Sequence, residues 1–280
     1  MDGQTNVRSA SCRSVDKVLL GVYLLKGRAQ TSVLTGSVGE FQPGPASSGT
    51  STIRARILGA RLKLLLTSGG VTNPSIHSAL VQLLNKPIAQ CYALVVPTAQ
   101  WGHPMCGPAS VRGLLAAEHD SPHLSGLGWA SLGVLELTAL PTIGAERWVP
   151  WLREADVLLV DGGDATYLSH WMRESGLAEL LPSLPDTVWV GVSAGSMVMT
   201  PRIGEYFVEW PSAPDDRTLG VVDFSIFPHL NAFPTNTLAH AERWAADIDV
   251  PAYAIDEQTA IKVVDGSVEV VSEGQWKKFG

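Results

Sequence analysis

Trp189-Val190-Gly191-Val192-Ser193-Ala194-Gly195 is an apolar run that passes into G-x-S-x-G. This pattern predicts a buried strand, a sharp turn carrying one serine, and the start of a helix. Such a nucleophile elbow exposes a hydroxyl where the next helix supplies free backbone N–H groups and a positive dipole end. The flanking glycines suit it, because a side chain at either position would crowd a strained turn. The same five residues also suit an ordinary strand-to-helix turn that happens to hold a serine. The rest of the chain has to decide between the two.

From Arg61 onward, short apolar runs alternate with helical patterns. Strands are expected at 62–66, 92–96, 133–137, 156–160 and 187–192. The helices between them start near Asn73-Pro74 (Asn as cap, Pro in the first turn), at 109–118, at 148–154, and after Asp164 to about Glu174. Pro97 to Pro108 reads as a long loop. Such alternation predicts an α/β fold with a mostly parallel sheet and helices on both faces. After Ser193 the pattern changes: a strand at 221–227, a helix at 235–247, then strands at 252–255, 260–264 and 267–271. Asp265-Gly266 joins the last two as a two-residue hairpin turn, so the chain is expected to finish in antiparallel strands. Residues 61–280 read as one domain.

Residues 1–60 are different. They are rich in Ser, Thr, Gly and Arg, and 41–52 is a low-complexity run. A disordered extension, or upstream sequence carried by a misplaced start, fits them better than a targeting segment. The apolar patch 19–25 is followed by Lys26-Gly27-Arg28, which is a poor cleavage site.

The formal net charge is −7. Residues 1–60 carry seven Lys and Arg against three Asp and Glu, so the remainder is the acidic part. This balance disfavours a nucleic-acid partner. No apolar run approaches the ~20 residues of a membrane span. Cys12, Cys91 and Cys106 form neither a C-x-x-C pair nor a metal-binding spacing, and an odd, sparse set suits a reducing cytoplasm. No nucleotide or metal motif occurs, so neither a cofactor nor a metal is expected. A homodimer is compatible with the composition.

A nucleophilic serine needs a base, and the base needs an orienting acid. Of seven histidines, His229 follows a predicted strand end, where open α/β sheets put reactive groups. His103 lies in the long loop and is a candidate to line the site. Asp256 and Glu257 both follow the strand 252–255, and either could be the acid. The order Ser…His…acid differs from that of an α/β-hydrolase. Asp215, Asp216 and Asp223, between Ser193 and His229, would restore that order and keep a serine esterase in view. One oxyanion donor would be the N–H of Ala194, and the second that of Gly162 or Gly163.

Taken in order, Gly162-Gly163-Asp164, Gly191-Val192-Ser193-Ala194-Gly195, Pro228-His229 and Ile255-Asp256-Glu257-Gln258-Thr259-Ala260 resemble peptidase family S51. That family includes aspartyl dipeptidase (peptidase E) and cyanophycinase, and its fold is similar to class I glutamine amidotransferases (flavodoxin-like). The resemblance covers about 61–279. It implies Ser193 as nucleophile, His229 as base, Glu257 as third member, and Gly163 and Ala194 as oxyanion donors. The family's usual G-G-N-T reads Gly162-Gly163-Asp164-Ala165 here, which puts a carboxylate beside the expected hole. Asp164 is therefore a candidate substrate contact. Arg202 is the candidate for holding a substrate carboxylate, with Arg147 and Arg173 read as solvated helix residues.

The resulting expectation is a cofactor-free serine peptidase of dipeptidase type, acting on a small peptide or amide. The other reading is an amidotransferase-like binding module whose triad does not turn over, with Asp164 as the feature in its favour.

Overall fold

A computed structural model describes residues 61–116 and 124–280. The expected extension 1–60 therefore lies outside the described residues.

Ten strands and seven α-helices follow one another in the described chain. β1 (Lys63–Thr67), α1 (Pro74–Leu84), β2 (Tyr92–Val96), α2 (Pro108–Ala116), β3 (Ser131–Val134), α3 (Ala145–Glu154), β4 (Val157–Val160), α4 (Ala165–Glu174), α5 (Leu177–Leu180) and β5 (Val188–Val192) form the alternating part. Then come α6 (Ala194–Met197), β6 (Ser225–Phe227), α7 (Leu238–Ala246), β7 (Ala252–Ile255), β8 (Thr259–Val264), β9 (Ser267–Ser272) and β10 (Trp276–Phe279). The main sheet runs β3-β2-β4-β5-β1-β8-β9. The pairs from β3 to β1 are parallel, and β8 and β9 add antiparallel. This is the mixed α/β architecture that the alternation of elements predicts.

Period-two alternation explains the two cores. Leu64 and Leu66 of β1 point to the face covered by Trp148, Leu152, Leu168 and Met172 of α3 and α4. Leu65 points to the opposite face, with Ile76, Leu80 and Leu83 of α1. A strand buried on both faces reads as an unbroken apolar run. Local signals work as read. Asn73 Oδ1 accepts the Ile76 N–H at 2.9 Å with Pro74 opening α1. Asp265 and Gly266 both take positive φ, 48° and 82°, as a two-residue hairpin requires.

Four expectations need correction. The strand expected at 221–227 is only Ser225–Phe227. The amides of Val221 and Val222 both turn back to Met199 O, at 2.8 and 3.0 Å, so they have no ladder to join. The strand expected at 133–137 is Ser131–Val134. It stops because Glu136 accepts the Thr138 N–H and starts a 3₁₀ turn over Leu137–Thr142. The long loop after β2 contains a 3₁₀ turn, Thr98–Gly102. The C-terminal strands do not all extend one sheet: β6 and β7 pair in parallel, and β10, which the pattern did not announce, pairs antiparallel to β7. This second sheet has its own apolar cluster, Phe227, Ala252 and Ala254 against Ala241 and Trp244 of α7.

Leu65 is fully buried at the centre of the sheet, with β5 on one side and β8 on the other. Leu65→Ala should lower unfolding stability by about 2–5 kcal/mol. Urea denaturation would show it as a lower midpoint at an unchanged slope.

Candidate active site

The parallel strands β1, β4 and β5 end on one side of the sheet, where open α/β sheets bind ligands. Ser193 directly follows β5 with φ 49° and ψ −109°, a conformation that side chains rarely adopt. The helix after it is one turn long, Ala194–Met197. A four-residue helix carries little macrodipole, so the dipole expected from the motif reduces to local amides. As the first helical residue, Ala194 has an N–H without an intrahelical acceptor.

His229 stands two residues past β6, and its backbone also has positive φ, 57°. Its Nε2 lies 2.8 Å from Ser193 Oγ, and its Nδ1 2.6 Å from Glu257 Oε1. A carboxylate at Nδ1 favours the Nδ1–H tautomer and leaves Nε2 to accept the serine proton. Phe233 packs edge-on to the imidazole at 5.7 Å between ring centroids, and is half exposed.

The geometry separates the two acids. Asp256 Oδ1 accepts from Gln258 N at 3.0 Å and Thr259 Oγ1 at 2.7 Å, and Oδ2 accepts from Gln275 N. Asp256 thus closes its own turn, while Glu257 reaches the imidazole. Neither Asp215 nor Asp216 meets His229. Asp215 pairs with Arg217, and Asp216 accepts from Arg202 Nε and Gly204 N. Asp223 lines a groove with Val221, Pro251 and Lys278.

Beside Ser193 runs the segment Asp161-Gly162-Gly163 after β4. A Cβ on Gly162 would be 3.4 Å from Ser193 Cβ. Gly163 has φ 134°, and a Cβ there would fall 2.2 Å from Ala99 O, so only glycine fits. The Asp161 carboxylate accepts from Gln100 Nε2. Burial pushes its pKa above the ordinary carboxylate range, against the opposing pull of Gln100 and the Gly162 N–H. Burial also raises the Cys106 thiol, with the charge of Asp161 adding to it.

Three candidate substrate contacts have other partners. Asp164 is fully buried. Its Oδ1 accepts from Thr166 Oγ1 at 2.6 Å and Tyr167 N at 2.7 Å, capping α4. Its Oδ2 accepts from Glu209 N and Trp210 N, both at 2.8 Å. All its acceptor capacity is spent within the scaffold. Arg202 gives its Nε to both oxygens of Asp216, and its Nη1 lies 3.7 Å from Asp249. His103 Nδ1 accepts from Met105 N at 3.2 Å and lies 3.7 Å from Cys106 Sγ, so it braces its own turn. Arg173, expected in solvent, donates Nη2 to Thr218 O at 2.8 Å, and desolvation lowers its pKa.

The pattern reading missed the loop after β1. Ser193 N donates to Thr67 O at 3.0 Å, and Ser196 Oγ bonds both Thr67 N and Thr67 O at 2.8 Å. Ser68 and Thr72 bond the segments that carry His229 and Glu257. The available signal was position: Thr67-Ser68-Gly69-Gly70 lies at the C-terminal end of a parallel strand. Among the described residues, no group of three or more His, Cys, Asp or Glu side chains is arranged to hold a metal ion. No helix among them is long and apolar enough to cross a membrane.

Comparison with known proteins adds the following. The family model described as Peptidase family S51 matches residues 64–271. An uncharacterized peptidase of Pasteurella multocida (strain Pm70) is 29% identical over 119 residues, 40% of this chain. The match spans 58% of that relative's length. Two crystal structures share the fold at 19% identity and a TM-score of 0.56. One is a putative peptidase E protein from Listeria monocytogenes EGD-e, covering 77% of this chain and 100% of that one. The other is a peptidase from an acI-B1 Actinobacterium, covering 78% of this chain and 91% of that one.

The raised pKa of Asp161 gives a pH signature. Below about pH 4 both the folded and unfolded chains hold this proton. As pH rises through the folded pKa, the unfolded chain has released it first, so this carboxyl costs stability at neutral pH. Asp161→Asn removes the titration. Its stability relative to wild type should rise between pH 4 and pH 7 in paired urea melts, and a constant difference would contradict the shift.

Proposed function

The chain belongs to peptidase family S51, and from that premise we propose that it is a serine-type peptidase hydrolysing small peptides or amides through Ser193, His229 and Glu257. The observation that carries this reading is one imidazole in contact with both partners, Ser193 Oγ at 2.8 Å and Glu257 Oε1 at 2.6 Å.

In this mechanism Ser193 Oγ attacks the substrate carbonyl carbon and His229 Nε2 takes the hydroxyl proton. Glu257, accepting Nδ1–H, stabilises the imidazolium and holds the ring in its tautomer. The amides of Gly163 and Ala194 receive the oxyanion. The glycine backbone opens that side of the serine, and the helix start leaves the Ala194 N–H free. His229 then gives its proton to the leaving amine as the C–N bond breaks, which leaves an acyl-serine. Water passes a proton to Nε2 and attacks the acyl carbon, and Nε2 returns that proton to Ser193 Oγ as the acyl C–O bond breaks and the acid leaves.

The engagement of Asp164 supports an active hole over a silent one. Its charge is answered by two backbone amides on one oxygen and by an amide and a hydroxyl on the other. Cys91 and Cys106 are both free thiols, in keeping with a reducing cytoplasm as the working compartment.

Wild-type protein should react covalently with a fluorophosphonate probe and cleave members of a dipeptide panel containing Asp, Glu and Ala. Ser193→Ala should abolish both. Glu257→Gln should leave the fold intact and lower kcat by about 10⁴. Equal labelling of wild type and Ser193→Ala would refute the proposal.

A further inference from the structure

The base and the acid come from different places. His229 follows β6, Glu257 follows β7, and each backbone has left its strand before the side chain is presented. Something must hold the two departures in register.

Ser68, the first residue past β1, is fully buried between them. Its Oγ accepts the backbone N–H of His229 at 2.7 Å and donates to Ile255 O at 3.0 Å. Ile255 ends β7, two residues before Glu257, and its carbonyl also accepts from Leu230 N at 3.0 Å. One hydroxyl thus uses its donor on the acid's segment and an acceptor site on the base's. The neighbouring residues complete the grip. A Cβ on Gly69 would fall 2.1 Å from Glu257 Oε2, so the carboxylate rests against bare backbone there. Thr72 Oγ1 donates to Glu257 O at 2.6 Å.

We infer that Ser68 is a positioning residue for the His229–Glu257 pair. It takes no part in proton transfer. It satisfies the backbone N–H of His229 itself, beside the Leu230 N–H that Ile255 O accepts, and it fixes that turn against the end of β7. Removing the hydroxyl leaves the His229 N–H buried without its partner, while Ile255 O keeps Leu230 N. His229 then gains freedom relative to both Ser193 and Glu257. A displacement of about 1 Å at such a centre can cost about 10²-fold in rate. The kinetic consequence rests on the serine-peptidase reading, whereas the tether itself does not.

Two measurements test it in full-length protein. The first follows the downfield imidazole proton shared by His229 Nδ1 and Glu257, using protein labelled with ¹⁵N-histidine. The second follows fluorophosphonate inactivation over a range of probe concentrations. Ser68→Ala should broaden or lose the resonance. It should also cut the maximal inactivation rate about tenfold or more while leaving the half-saturating concentration nearly unchanged. Ser68→Cys is somewhat larger but keeps a weak donor and acceptor at the same position, and should recover part of both. A folded Ser68→Ala with only a lower melting temperature, and wild-type resonance and rate, overturns the inference. If Ser68→Ala does not fold, Ser68→Cys carries the test, and wild-type values in it overturn the inference. A wild type that ignores the probe yet loses the resonance on Ser68→Ala overturns the peptidase reading and leaves the positioning role standing.

Discussion

The backbone of Ser193, at φ 49° and ψ −109°, is the constraint around which the molecule is arranged. A non-glycine residue in such a conformation costs on the order of 1–3 kcal/mol and persists only where its surroundings over-determine it. Here they do. A Cβ on Gly195 would fall 2.1 Å from Val160 O, so the helix start lies directly on the end of β4. Trp189 Nε1 donates to Gly195 O at 2.9 Å, and Ser196 Oγ closes two bonds onto Thr67. Each such bond contributes roughly 0.5–1.5 kcal/mol net, so the set offsets the strain. The elbow then has β1 and β4 as immediate neighbours, and the ends of those two strands carry the loop and the glycine pair that face the serine.

Features that are local in the chain were legible from sequence. The strand-to-helix turn at Ser193, the Asn73-Pro74 helix start and the Asp265-Gly266 hairpin are each announced by neighbours a few residues apart, and each forms where the local pattern puts it. His229 could be singled out because a strand end is itself a sequence feature. Asp256 and Glu257 could not be separated by residue type or spacing, because both follow β7. Side-chain reach and competing partners decide between them: Asp256 is used up by Gln258, Thr259 and Gln275. The engagement of Arg202, Asp164 and His103 within the scaffold was hidden for a related reason. Their partners are Asp216, the amides of Glu209 and Trp210, and the Met105 amide, and no periodicity announces such pairings. The second sheet was hidden because Val221 and Val222 have strand-like composition while their amides belong to the end of the elbow segment.

Asp164 shows how a departure from a family pattern can be absorbed. A carboxylate next to an oxyanion hole would oppose developing negative charge if it faced the substrate. Buried, it serves two elements at once: it caps α4 and anchors the amides at 209 and 210. Trp210 then packs on Tyr167 at 5.4 Å and on His170 at 5.2 Å between ring centroids. The negative charge is paired with donors that a neutral amide side chain could match only in part, because each oxygen here accepts twice.

β1 is the first strand of the main sheet in sequence, yet it lies between β5 and β8. The bonds from Thr67 and Ser68 to their partners span 129, 161 and 187 residues of chain. Contacts so far apart are made late, because the intervening chain must be ordered before they form. During synthesis the elbow serine would leave the ribosome well before β7 and Glu257 exist to complete the charge arrangement around His229. The contact of His229 with both Ser193 and Glu257 is therefore tied to synthesis of the C-terminal strands. A chain interrupted before β7 would hold Ser193 and His229 but neither Glu257 nor the Ile255 carbonyl that Ser68 bonds, so the cluster forms only on a nearly finished fold.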